Sequence, residues 1–411
     1  KGQVDGPKIM LCAHMDEIGF IVRSITSQGQ IILMNVGGVK PLAQMMQKVR
    51  ITTQAGRKIH GIIQSEYQDG KAVNMYVDLG AQCAEDVYAL GIEVGDMVTY
   101  TTEFESFDLE NIVVGKAFDD RLGCYIMGEV LKRLKDIDHP NTVVMVGTSS
   151  EEVGIRGART AAYKVNPDVV FPLDVACFNN EFVRDHSNKR QIGKGMMQTN
   201  FDRTLAPNRR MIQLVRESAK RLGKPLQLDM FNGGGTDGGE VHKIREGKPT
   251  AVSCLPVRYG HCAYSIANYQ DIEDAIEIFV DIIKHFDNET YTMKDFCELD
   301  YGFDFYAPQS FEDEKGRRIL IGWMGLPDID YTNPTTENGW QHALTLPRVL
   351  TSKTGVIYQT PVEELHQLRT SSYTSTVKAF NDLELLADCY EMAIDIEKQD
   401  NFVLQLRKGA C

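Results

Sequence analysis

No two cysteines of this chain stand in a Cys-x-x-Cys pair, although there are nine among its 411 residues. An odd, scattered set excludes a regular disulfide framework and a paired-cysteine zinc or redox motif, and it fits a reducing, cytoplasmic setting. Positive charge is also short. The 44 Lys and Arg against 57 Asp and Glu leave a formal net charge of -13, which argues against nucleic-acid or anionic-membrane partners, because both require basic surface. No apolar run is long enough to span a bilayer, and no basic stretch followed by an apolar one opens the chain, so neither a membrane span nor a secretory leader is expected. The glycine-rich stretch Asn232 to Gly239 lacks the Gly-Lys-Ser/Thr ending that would reach phosphates and magnesium. Its glycines are read as permitting close backbone approach instead. The sequence begins with Lys1, almost directly before a buried-strand pattern, and reads as a fragment without its natural N-terminus.

What is present is ordinary globular material, 43% hydrophobic and 25% charged, enough for two or three domains. Val143 to Gly147 form a short apolar, β-branched run that breaks into Thr148-Ser149-Ser150-Glu151-Glu152. This is the pattern of a strand buried on both faces that ends in two adjacent carboxylates. Strand ends in α/β sheets are where sites sit, and neighbouring side chains there point apart, so one glutamate can bind a metal while the other moves a proton. An acidic helix start is the plainer reading. Lys8 to Ala13 also reads as a core strand, with His14 and Asp16 on one face at its end. There an aspartate could fix the histidine tautomer and aim the other nitrogen at a metal, or the two could be a buried structural pair.

Between residues 20 and 108 the texture changes to short alternating segments with glycine turns, the signature of a small β-barrel or sandwich. His60 is expected on a strand face with no catalytic part. Asp119 and Asp120 open an amphipathic helix that runs to about Lys135, as helix-start carboxylates or as a bridge between two ions. A strand near 168–175 ends in Asp174, a helix covers 211–222, a strand covers 251–257 with His261 beyond it, and an apolar-striped helix runs from Ile272 to His285.

Together, Ala13 to Phe20, Ala117 to Arg121, Thr148 to Gly154 and Gly234 to Asp237 resemble, in order, the glutamyl aminopeptidase family of cytosolic metallopeptidases, over residues 1 to about 290. The resemblance implies an α/β fold: a zinc-exopeptidase-like mixed sheet with helices on both faces. It also implies a discontinuous catalytic domain, 1–19 with 109–296, and a β-barrel-like insertion at 20–108 used for assembly into dimers and a dodecameric cage. Two divalent ions, zinc first and cobalt or manganese as alternatives, would be held by His14, Asp119, Glu152, Asp174 and His261, with Asp119 bridging. Asp16 would orient His14, and Glu151 would be the general base acting on short peptide substrates. No motif settles the preferred N-terminal residue. After Asp174 the chain continues Val175 to Asn180, where many relatives carry an acid-containing turn.

Composition shifts again after Phe286. From about Glu298 to Arg407, Phe303-Asp304-Phe305-Tyr306, Gly339-Trp340 and Leu346-Pro347-Arg348 mark a segment similar to the sucrose-6-phosphate hydrolase and invertase family of glycoside hydrolases. The resemblance assigns residues 298–411 to the last propeller blade and part of a β-sandwich. It also implies that the catalytic carboxylates belong earlier in that family's chain and are absent, so a retaining hydrolysis could not run on this segment alone. The uncovered strand edges and apolar faces of such a fragment are expected to leave it poorly ordered or sticky. The whole is therefore expected to be a metal aminopeptidase joined to a catalytically incomplete fructosidase piece. The alternatives are a β-fructofuranosidase-derived chain and an inert chimera.

Overall fold

The computed structural model describes residues 2–3, 5–177, 189–231, 233–287, 289–290, 299–300, 305–325, 332, 334–353, 356–370 and 372. Two compact units result, Lys1–Asp295 and Phe296–Cys411. The Phe303-Asp304 part of the tail motif and residues 178–188 lie outside the described residues.

The first unit starts with β1 (Lys8–His14), whose alternation builds two cores. Ile9, Leu11 and Ala13 enter the larger core, whereas Met10 and Cys12 enter a smaller one on the opposite face. Six strands then close a barrel: β2 (Gly19–Ile25), β3 (Ile31–Val36), β4 (Gln47–Thr52), β5 (Lys58–Gln68), β6 (Lys71–Asp78) and β7 (Met97–Tyr100), in the order β2-β3-β6-β5-β4-β7. Closure leaves no free strand edge in this part. Phe20 and Tyr100 meet edge to face at 5.7 Å in its core, and the Tyr100 hydroxyl donates to the Ala43 carbonyl at 2.7 Å. The short α1 (Ala84–Ala89) lies between β6 and β7. His60 is exposed on β5, opposite Arg50.

The chain returns through β8 (Glu105–Ser106) and β9 (Ile112–Gly115) to α2 (Phe118–Leu134), then β10 (Thr142–Thr148), α3 (Arg156–Val165), β11 (Val169–Cys177), β12 (Met196–Thr199), α4 (Arg209–Leu222), β13 (Leu226–Asp229), α5 (Gly238–Val241), β14 (Ser253–Val257), β15 (Ser265–Asn268) and α6 (Tyr269–His285). The main sheet has the order β10-β1-β11-β14-β12-β13. It is mixed, since β12 runs antiparallel to β14 while the other neighbours are parallel. Residues of α2, α4 and α6 fill the larger core, and residues of α3 and α5 the smaller. Asn208 and Asn268 cap α4 and α6 by accepting from backbone N–H groups, and Gly223 at φ 65° ends α4. Phe279 on α6 meets Phe171 on β11 edge to face at 5.8 Å, both fully buried.

The described residues of the second unit form a five-stranded antiparallel sheet. Its strands β16 (Tyr306–Glu312), β17 (Arg318–Met324), β19 (Arg348–Lys353) and β20 (Val356–Pro361) pair in that order, and β18 (Ala343–Leu344) pairs with β17. Tyr306, Trp323 and His342 stack edge to face, whereas Trp340, Leu344 and Leu346 are more than half exposed.

Candidate metal centre

Register sets the stage. Residues of β1 pair with β10 up to His14 opposite Thr148, and with β11 up to Cys12 opposite Pro172. Two residues further along each strand, on one face, lie His14 and Asp174. Glu151 and Glu152 follow β10 in a turn in which Ser150 has φ 60° and the Glu151 carbonyl accepts from the N–H groups of Gly154 and Ile155. Asp119 and Asp120 occupy the entry to α2 with non-helical backbone angles. His261 comes from the loop between β14 and β15, at φ 60°.

These distant segments converge on one carboxylate. Asp119 Oδ1 lies 2.9 Å from His14 Nε2, and its Oδ2 lies 3.1 Å from His261 Nε2. Glu152 Oε2 is 3.5 Å from His261 Nε2, and Glu151 Oε2 is 4.0 Å from His14 Nε2. Ligand atoms of His14, Asp119 and Glu152 lie within 4.8 Å of one another. Asp174 is buried and its Oδ1 accepts from the Val175 N–H at 2.6 Å.

Each imidazole is held from behind. His14 Nδ1 lies 3.0 Å from the Asp16 carbonyl and His261 Nδ1 lies 3.1 Å from the Gly38 carbonyl. A carbonyl only accepts, so both Nδ1 atoms carry hydrogen and both Nε2 atoms face the cluster. The Asp16 carboxylate is 3.8 Å from His14 Nδ1. It accepts instead from the Glu151 and Glu152 N–H groups at 3.1 and 3.2 Å. It is therefore the backbone of Asp16 that orients His14, while its side chain fixes the glutamate turn.

The charges are crowded. Burial opposes a charged ring at His14 and His261, but the Asp119 carboxylate beside them pushes His14 up to about 12 and His261 up to about 9. Asp119, also opposed by burial, is held below the usual carboxylate range by the two rings. Burial, with the neighbouring acids Asp237, Asp119 and Glu152, lifts Glu151 to about 8 despite His14. Burial and then Asp119 lift Glu152 to about 7 and push Asp174 well up. Such mutual repulsion among buried carboxylates calls for cations. Glu152 Oε1, buried without a hydrogen-bond partner, is a free donor atom of the kind a cation takes. The donor set of imidazole and carboxylate suits divalent zinc, cobalt or manganese.

Three further residues support the centre. Asp120 accepts from the N–H groups of His14 and Gly123. Asp237 accepts from the Thr148 hydroxyl at 2.5 Å, under the turn that carries the glutamates. Gly38 holds His261. The Gly-Gly pair at 37 and 38 was the available signal for the last.

A mixed sheet that gathers two histidines and several carboxylates at its strand ends has the arrangement of a metallopeptidase. The family is specific: residues 1–278 match the model of the M42 glutamyl aminopeptidase family, and the chain belongs to it. It is 34% identical over 280 residues to the putative aminopeptidase FrvX of Escherichia coli K12, covering 65% of this chain and 78% of that protein. The fold is similar, with a TM-score of 0.68 and 36% identity, to the TET aminopeptidase of the marine sediment archaeon Thaumarchaeota archaeon SCGC AB-539-E09, over 70% of this chain and 84% of that one. Residues 256–361 match the N-terminal domain of glycosyl hydrolases family 32. Over 88 residues the chain is 59% identical to a sucrose-6-phosphate hydrolase of Staphylococcus xylosus, 21% of this chain but 17% of that protein. The chain thus joins a metallo-aminopeptidase to a glycoside hydrolase fragment. No helix among the described residues is long and apolar enough to cross a membrane.

Proposed function

We propose that the first unit removes N-terminal residues from short peptides with two divalent ions, held by His14, Asp119, Glu152, Asp174 and His261 with Asp119 between them. One observation carries this reading: the two oxygens of Asp119 face two different imidazole Nε2 atoms, at 2.9 and 3.1 Å. A single ion would need only one of them. When bound, the ions would acidify a water and polarise the peptide carbonyl.

The protein's own groups supply the rest. Glu151, half-buried and 4.0 Å from His14 Nε2, takes a proton from the attacking water and returns it to the leaving amine. Asp16, through its bonds to the Glu151 and Glu152 N–H groups, keeps base and ligand in fixed relation. Surplus carboxylates around the centre favour a protonated peptide amine over an acidic group.

The tail contributes no sugar chemistry, because the carboxylate pair that a retaining glycosidase needs has no counterpart in it. Homo-oligomers from dimer to dodecamer and a cytoplasmic location belong to this proposal. The test is release of the first residue from tri- and tetrapeptides. It should be lost on chelation, regained with zinc, cobalt or manganese, and absent in Glu151→Gln. Cleavage that survives both chelation and Glu151→Gln would overturn the proposal.

A further inference from the structure

The two histidines of the centre are supported from different parts of the fold. His14 leans on the Asp16 carbonyl, two residues along its own chain segment. His261 is tied to the barrel. Its Nδ1 donates to the Gly38 carbonyl at 3.1 Å, and its own carbonyl accepts from the Lys40 N–H at 3.1 Å. Two residues on, the Ala263 carbonyl accepts from the Thr102 hydroxyl at 2.6 Å, and the Ala263 side chain is part of the barrel core. The loop after β3 also lines the centre directly. A Cβ on Gly37 would lie 3.1 Å from Glu152 Oε2, and one on Gly38 would lie 2.9 Å from Nδ1 and 3.2 Å from Cε1 of His261. No other heavy atom outside its chain neighbours comes within 4 Å of that second Cβ.

We infer that Gly38 is a positioning residue for His261, through its carbonyl and through its missing side chain, so that the barrel is a working part of the metal centre. This rests on the two-ion reading above. A methyl group at 38 has one obstacle, the imidazole ring. Relieving the contact means swinging the ring, which breaks the bond to the Gly38 carbonyl and takes Nε2 away from Asp119. Loss of an outer partner of a metal-bound histidine weakens metal binding by about 10- to 100-fold.

The test is zinc binding by the full chain against a graded zinc buffer, with bound metal counted by elemental analysis. Unaltered protein should hold two ions. Gly38→Ala should hold one as before and the second about 10- to 100-fold more weakly. In a His261→Ala background, where the ring is gone, Gly38→Ala should change nothing, which a merely structural role would not produce. Thr102→Val, which removes the tie to Ala263 without touching the centre, should weaken the same ion by a few-fold and also fall silent with His261→Ala. Unchanged second-ion affinity in both Gly38→Ala and Thr102→Val overturns the inference, as does an equal loss with and without His261. Absence of zinc from the unaltered chain would sink the two-ion reading itself, a result distinct from these.

Discussion

Asp119 shows how much one side chain can organise. Among the described residues it is the one group within 3.1 Å of both imidazoles, and its neighbours Glu151 and Glu152 differ in what they offer. Glu152 reaches His261 and keeps a bare buried oxygen, whereas Glu151 faces His14 from 4.0 Å. The two conservative substitutions should therefore separate. Glu152→Gln is expected to lose metal, read by elemental analysis. Glu151→Gln should keep its metal and lower kcat by about 10²- to 10⁴-fold. The segments that converge on Asp119 could be read from sequence, because strand ends broken by His, Asp and Glu are local patterns. The division of Asp16 could not. A period of two places Asp16 on the His14 face, but it does not tell whether the carboxylate or the nearer backbone oxygen meets the ring. The answer depends on the glutamate turn 135 residues away, which captures the carboxylate.

Among the elements, α4 and α6 are locked by Asp281. It accepts from the Ser218 hydroxyl at 2.7 Å and from the Arg221 guanidinium, across the helix interface. Burial would raise this carboxyl, but the bonds to Arg221 and Ser218 prevail and hold it below the usual range. A depressed folded pKa stabilises above the unfolded value, near 3.9, and that stability is lost as pH falls through the folded value. Asp281→Asn should thus cost about 1–2 kcal/mol at pH 7. The gap from the unaltered protein should narrow as pH falls below the unfolded value, as measured by urea denaturation at pH 7 and at an acidic pH. Phe279→Ala, which empties the larger core opposite Phe171, should cost about 3–5 kcal/mol at either pH.

These helices were legible from their apolar stripes, though not their asparagine-capped starts, and the β-rich stretch, as a barrel or sandwich, from its alternation. The touch of the barrel loop on the site was not legible, because alternation records which face is buried and is silent about what a loop tip meets. Gly37 and Gly38 look like any turn glycines until a histidine from the far end of the unit is brought against them.

At the scale of the molecule, two units of unrelated ancestry share a chain. The first unit carries every residue of the proposed centre, and the described residues of the second form an antiparallel sheet with Trp340, Leu344 and Leu346 exposed. A chain ending at Asp295 is expected to keep its peptidase kcat/KM within about twofold, since no proposed catalytic or ligand group is lost, and to stay dispersed at higher concentration because an exposed apolar surface is gone. Paired assays and light scattering of the long and short forms check both statements. Neither form should turn over sucrose or its 6-phosphate.

The spread of the centre along the chain, from His14 to His261 by way of Asp119 and Glu152, also sets a timetable. During synthesis the second imidazole follows the first by some 250 residues. At about 5–20 residues per second that wait lasts tens of seconds, during which crowded acids have no second imidazole to balance them. Acquisition of the full metal complement therefore waits until the His261 segment has been made. In refolding, stable zinc uptake should track the slowest phase, after the barrel and the β1–β10–β11 ladder have formed.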